Sequence, residues 1–273
     1  MEYIKVILYG IIEGITEWLP ISSTGHLILA EKLLALPYSE EFMSMFRVVI
    51  QLGAILAVVV LYFPRLWPFT TDARHKYQRP EVWQLWFKIL VATLPAMVLG
   101  LLLDDWLDAH LYNYITVAAM LILYGVFFIL IENRRRRPTV RRMDQLTYRH
   151  ALIIGCWQVL AMIPGTSRSG ATIVGGLLLG LARPVAAEFT FFLAIPVMAG
   201  ASGLKLVKFL ADGGTFTGGE VAALALGCAV AFVVSVAAIR FLVSFVQKHN
   251  FKVFGWYRIA LGAVVLAAAF LGF

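Results

Sequence analysis

The sequence predicts an all-α polytopic membrane protein with six transmembrane helices and two re-entrant helical hairpins, arranged as an inverted-topology repeat. Three observations lead there. The chain is 61% hydrophobic, with a mean hydropathy of +0.84 and only 14% charged residues, whereas soluble domains carry about 25%. Six apolar segments are long enough to cross a bilayer, which takes about 20 residues. The positive charge is gathered in short loops between them, as membrane topology demands.

The elements follow in order. Met1–Pro37 is apolar but broken near its middle by Pro20, Ser22, Ser23 and Gly25. Three spans come next, roughly Phe42–Phe63, Val82–Leu103 and Ile115–Ile131. Arg149–Arg183 is again apolar and again broken, by Pro164, Gly165, Ser167, Ser169 and Gly170. Three more spans close the chain: Val185–Leu210, Val221–Val246 and Tyr257–Phe273, with Lys205, Lys208 and Arg240 near span ends where they can snorkel.

Loop charge fixes the threading. The basic loops hold Arg65, Arg74, Lys76 and Arg79; Arg134 to Arg137, Arg141, Arg142 and Arg149; and Lys248 and Lys252. Asp104, Asp105 and Asp108, and the stretch Asp212 to Glu220, are acidic or neutral. The positive-inside rule puts the three basic loops in the cytoplasm and the other two outside. Met1–Pro37 must then begin and end outside, and Arg149–Arg183 must begin and end inside. Neither crosses, so each reads as two half-helices in a hairpin, followed by three spans of opposite sense. The result is one membrane domain over 1–273, with halves of about 1–135 and 149–273 joined by the basic loop 134–149. In such repeats the broken elements meet at the midplane and form the site. The breaks align as Pro20 to Gly25 against Pro164 to Gly170, with Arg168 read as the extra residue of the second copy.

The same facts exclude other classes. The net charge of +7 does not point to nucleic acid, because it is loop charge. Cys156 and Cys228 form no disulfide or metal-thiolate framework. Glu13 and Glu17 interrupt the N-terminal apolar stretch, so no signal peptide is expected.

Polar groups at membrane depth carry the chemistry, since a charge there costs roughly 2.5–3.5 kcal/mol even on insertion scales. Glu13 and Glu17, four residues apart, share one helix face. Ser22 and Ser23 sit where an N-cap belongs, and His26 lies one turn on. In the second break Ser167 or Ser169 can cap a half-helix, Arg168 projects from its start and Thr172 follows one turn later. Two helix N-termini, an arginine and several hydroxyls suit a phosphate dianion. The carboxylates would position a divalent cation or hold His26 in orientation. Packing or backbone-bonding roles remain open for Ser22, Ser169 and Thr172, as does a buried pair between Glu13 and Arg168. Gln51 reads as a supporting residue in mid-span, and Glu188 as a snorkelling, capping or site residue.

At these residues the chain resembles the undecaprenyl-diphosphate phosphatase family, also called the bacitracin-resistance protein family. That family has an (E/Q)xxxE motif, here Glu13 to Glu17, then a Ser-Ser-Thr-Gly-His run, here Ser22 to His26, and a PGxSRSxxT motif, here Pro164 to Thr172. The likeness extends over essentially the whole chain. It implies hydrolysis of undecaprenyl diphosphate to the monophosphate, which recycles the lipid carrier for peptidoglycan and other cell-wall glycans and confers bacitracin resistance. It also implies a bacterial inner membrane, magnesium or calcium, and an active site open to the periplasm; the threading puts both termini there too.

The residues fit that chemistry. Arg168, with Ser167, Thr172, Ser22, Thr24 and Ser169, would bind phosphate. Glu17, with Glu13, would hold the cation or orient His26, the general acid or base. Ser23 would be the nucleophile through a phosphoserine, or would only bind while water attacks. Partners are the polyprenyl diphosphate and membrane lipids, and the Gly175, Gly176 and Gly180 face would permit a homodimer. The alternative is a transporter or flippase of the lipid phosphate using the same inverted-repeat site. The other large class of lipid phosphatases is excluded: Asp72 and Gly176 stand where its lysine should precede Arg79-Pro80 or Arg183-Pro184, and no histidine follows Arg168 before His249.

Overall fold

The computed structural model describes residues 2–70, 78–134 and 137–271, without the side chains of residues 31–33, 104, 105 and 108. Arg74, Lys76, Arg135, Arg136 and the side chains of Asp104, Asp105 and Asp108 therefore lie outside the described residues. Among the described residues the chain is helical, with no strand beyond two isolated bridges. The helices are α1 (Glu2–Thr16), α2 (Ser23–Leu33), α3 (Glu40–Val49), α4 (Gln51–Leu61), α5 (Phe63–Leu66), α6 (Pro80–Leu111), α7 (Tyr114–Asn133), α8 (Tyr148–Val159), α9 (Arg168–Leu178), α10 (Arg183–Ala211), α11 (Gly218–Lys248) and α12 (Lys252–Phe270).

Six helical segments are long and apolar enough to cross a membrane, matching the six expected spans in number and order. Three boundaries differ. The first span is two helices, α3 and α4, which meet at Ile50, where the Gly53 amide donates to the Ile50 carbonyl at 3.1 Å. The second span ends at Leu103 as expected, but its helix continues to Leu111, so the acidic stretch Asp104 to Asp108 is helical and not a loop. The last span opens at Lys252, five residues earlier than expected, which puts Tyr257 and Arg258 inside the helix. Chain-end chemistry accounts for most starts. Ser39 caps α3, Asn113 caps α7, Thr147 caps α8 and Thr217 caps α11 through side-chain oxygens. Pro80 and Pro184 occupy first-turn positions that need no N–H.

α1 and α2 have 15 and 11 residues, and α8 and α9 have 12 and 11. At 1.5 Å per residue each falls short of a hydrocarbon core about 30 Å thick. The ends of each pair are tied together. Lys5 Nζ, near the start of α1, donates to the Ala35 carbonyl just past α2 at 2.6 Å. Before α8, the Thr139 and Val140 amides donate to the Gly180 carbonyl at 2.9 and 3.1 Å, and the Ala182 amide returns a bond to Val140 at 2.8 Å.

The pairs pack crosswise. α1 lies along α11, with Gly10 against Gly227 and Val230 and Gly14 against Ala231 and Val234; Ser235 Oγ donates to the Gly14 carbonyl at 3.3 Å. α8 lies along α6, with Gly155 against the Ala92 backbone. Small residues at these crossings let backbones approach where apolar lipid gives no drive to associate. α9 is central: Ser169 to Gly176 are all buried. Gly175 packs on Trp157 and Gly176 on Ala186. Gly175 and Gly176 are thus packed inside the chain.

Candidate active site

The two breaks share a backbone device. Ser22 and Ser167 are the only non-glycine residues at positive φ among the described residues, at 70° and 69°. Each is the N-cap of a half-helix, and its Oγ accepts from the amide three residues on, Gly25 at 3.3 Å and Gly170 at 3.2 Å. A left-handed non-glycine residue costs energy and clusters at functional sites. The shared cap corrects the alignment: Ser22 matches Ser167, Ser23 matches Arg168, Thr24 matches Ser169 and Gly25 matches Gly170. The extra residue of the second break therefore lies before the cap, in the Gly165–Thr166 step. Arg168 is the counterpart of Ser23.

Arg168 joins the two breaks. Its Nε and Nη2 both donate to Glu17 Oε1, at 3.1 and 2.9 Å, and its Nη1 donates to the Thr190 carbonyl of α10 at 3.0 Å. The guanidinium also lies over the Trp18 ring, 5.8 Å from its centroid. Both partners of the ion pair are about nine-tenths buried. Three of the five guanidinium N–H donors are thus used, and two remain for a ligand. The pair open to Arg168 in the sequence was with Glu13; the structure gives it to Glu17.

Glu13 is fully buried one turn back, and neither of its oxygens makes a well-formed hydrogen bond. Glu17 and Gln51, the first residue of α4, flank it. Among the described residues no three His, Cys, Asp or Glu side chains cluster as a metal site. The donors here are two carboxylates and an amide, all offering oxygen. That set, with one carboxylate left orphaned, fits a hard cation that completes its shell with water and substrate oxygens.

His26 is held from both sides. Its Nδ1 lies 2.7 Å from the Ser22 carbonyl and its Nε2 2.7 Å from the Tyr257 hydroxyl. A carbonyl only accepts, so Nδ1 carries the proton and Nε2 faces the Tyr257 oxygen. His26 is therefore oriented by Ser22 and Tyr257, not by Glu17 or Glu13 as one sequence reading had it. Ser23 and Thr24 are half-buried in the first turn of α2, and their hydroxyls make no hydrogen bond among the described residues. The other hydroxyls are engaged. Ser169 Oγ, 1% exposed, meets Ser167 Oγ at 3.2 Å and donates to the Leu19 carbonyl at 3.4 Å. Thr172 Oγ1 donates back to the Arg168 and Ser169 carbonyls and accepts from Thr190 Oγ1 at 2.8 Å. Thr172 thus braces the first turn of α9 against α10, the backbone-bonding role left open above. Glu188 pairs with Arg65 at the α4–α5 end and lies outside this group.

Sequence reasoning missed Thr190, Tyr257 and Arg258. A signal for the last existed: an arginine followed by a dozen apolar residues belongs inside a span and needs partners.

With the geometry in view, comparison with known proteins is direct. The family described as Bacitracin resistance protein BacA matches residues 6–264. An undecaprenyl-diphosphatase of Desulfitobacterium hafniense is 59% identical over 269 residues, covering 97% of this chain and 95% of the relative. One of Enterococcus faecalis is 57% identical over 264 residues, covering 96% and 95%. One of Latilactobacillus sakei is 52% identical over 273 residues, covering 99% of both. The chain is a multi-pass membrane protein that belongs to the BacA family of bacitracin resistance proteins.

Proposed function

We propose that this chain is a membrane phosphatase that hydrolyses undecaprenyl diphosphate to undecaprenyl phosphate and inorganic phosphate. The observation that carries the reading is the buried Arg168–Glu17 pair, which joins two capped breaks inside a protein whose relatives are undecaprenyl-diphosphatases.

Arg168 turns its two remaining N–H groups on the terminal phosphate, and the unpaired first-turn amides of α2 and α9 add donors with a favourable dipole. These groups gain most where charge develops on the phosphoryl oxygens. Ser23 Oγ attacks the terminal phosphorus, the bond to the bridging oxygen breaks, and undecaprenyl phosphate leaves. Water then cleaves the phosphoserine. His26 gives and takes the proton at Nε2, which the Tyr257 hydroxyl holds at rest and releases for the transfer, since Nδ1 is committed to the Ser22 carbonyl. Glu13, Glu17 and Gln51 would hold a magnesium or calcium ion. When bound, such an ion neutralises diphosphate charge and polarises a phosphoryl oxygen.

The short helix pairs α1–α2 and α8–α9 are re-entrant hairpins of an inverted repeat. Their lengths, their tied ends and the crosswise packing on α11 and α6 support this. The basic loops face the cytoplasm, and the termini and the mouth of the site face the periplasm.

Phosphate release from a short prenyl diphosphate by purified protein in detergent, with and without magnesium, tests the reading. Release that collapses in Arg168→Ala is expected. A folded wild type that releases none with any divalent cation overturns it in favour of lipid-phosphate transport, the reading built on the same crosswise architecture.

A further inference from the structure

We propose that Tyr257 and Arg258, neighbours on α12, are the positioning element of this site: Arg258 fixes the two breaks in register, and Tyr257 fixes the ring of His26. The inference deepens the phosphatase reading and rests on His26 and Arg168 being reaction residues.

Arg258 is 0% exposed and takes part in no ion pair among the described residues. A buried charge without a counter-ion is costly, and at membrane depth more so. Here its donors go to main-chain carbonyls. Nη1 donates to Pro20 at 3.2 Å, and Nη2 donates to Gly165 and Thr166, each at 2.9 Å. Longer bonds reach Met120 and Leu121 on α7, at 3.3 and 3.4 Å. The ring of Tyr124 lies 5.6 Å from its centre.

The choice of carbonyls is informative. Pro20, Gly165 and Thr166 lie in irregular backbone between half-helices, so no helix satisfies their oxygens, and irregular backbone at this depth needs another donor. Pro20 lies two residues before the strained Ser22 cap, and Thr166 one residue before the strained Ser167 cap. One rigid, planar group thus ties both caps to α12. The distance from Ser23 and His26 to Arg168 is then set by a guanidinium fork, which lysine cannot copy.

The residue before it completes the arrangement. Tyr257 bonds His26 Nε2 at 2.7 Å, and the two rings stack with centroids 5.7 Å apart and planes 13° apart. Neutral His26 accepts a hydrogen bond from the tyrosine hydroxyl, and protonated His26 donates one to the same oxygen. The hydroxyl therefore sets the ring plane before and after each transfer, and releases Nε2 for the transfer itself.

The test is phosphate release in detergent from a short prenyl diphosphate, reading kcat and KM separately. In folded Arg258→Lys, kcat is expected to fall about a hundredfold, as for a reacting group displaced by about 1 Å, with KM nearly unchanged. In Tyr257→Phe, kcat falls about tenfold in the wild-type background and no further in a His26→Ala background, because the tyrosine acts only through the imidazole. Folded Arg258→Lys with full kcat, or a Tyr257→Phe loss that persists in His26→Ala, overturns the inference. If Arg258→Lys does not fold, the Tyr257 cycle decides. Full activity in His26→Ala instead sinks the acid–base role of His26 and leaves the Arg258 result to stand on its own.

Discussion

The two breaks begin alike and then part. Each has a left-handed serine whose Oγ caps the amide three residues on. At the next position the first break has Ser23 and the second has Arg168; three residues further, His26 faces Ala171. The cap geometry is shared and the residues beside it are not. In the proposed reading the first break would carry a nucleophile and a proton carrier and the second a fixed cation; Glu17 reaches from the first to pair with Arg168 of the second. Two like charges or two nucleophiles beside one phosphate would serve little, so in the proposed reading the two breaks gain by differing.

The largest expected effect breaks the second half. Arg168→Ala lowers kcat/KM by about 10³-fold or more, because it removes the transition-state charge partner and also leaves Glu17 buried and unpaired. Arg168→Lys stays at least about tenfold below wild type, since the fork to Glu17 and Thr190 is lost; steady-state phosphate release measures both. Next comes the counterpart in the first half. Ser23→Ala loses activity by about 10³-fold if the serine is the nucleophile, and rapid-quench mass spectrometry of wild type detects a phosphoserine at Ser23. Full activity in that variant moves the attack to water.

Smaller effects sharpen the comparison at the backbone. Gly165, at φ 92° with the Val117 carbonyl against it, has no counterpart in the first break. Gly165→Ala is expected to destabilise the protein by about 1–3 kcal/mol from backbone strain alone, read as a fall in the thermal unfolding midpoint in detergent. The smallest and most symmetric effect is at the caps. Ser22→Gly and Ser167→Gly each lose a cap bond worth a few tenths of a kcal/mol but relieve a left-handed serine, so each shifts stability by less than about 1 kcal/mol. Unequal shifts at the two caps would mean that the breaks are less alike than their dihedral angles.

The sequence announces the spans because the bilayer demands long apolar runs, and it announces the breaks because Pro, Gly and Ser interrupt them. It does not announce the break between α3 and α4 at Ile50, nor that Gln51, the next residue, stands beside Glu13. Nor does it tell Glu13 from Glu17 as the partner of Arg168: the two stand one turn apart, and the choice falls to Glu17, just past the end of α1. Arg258 was hidden by a boundary, because a span begun at Tyr257 leaves its arginine at the membrane edge. With the helix opening at Lys252, the same residue is carried into the protein. Thr172 reads alike as ligand or brace until Thr190 is found beside it.

The crosswise packing has a consequence for how the chain is made. α1 finds its partner on α11, which opens at Gly218. While the intervening helices are being synthesised, the glycine face of α1 has nothing to close against. The first half must wait in the membrane for the second, and chains cut before Gly218 are expected to be sensitive to proteolysis within α1 and α2. The partner that closes over α1 is supplied by a helix that is made near the end of synthesis.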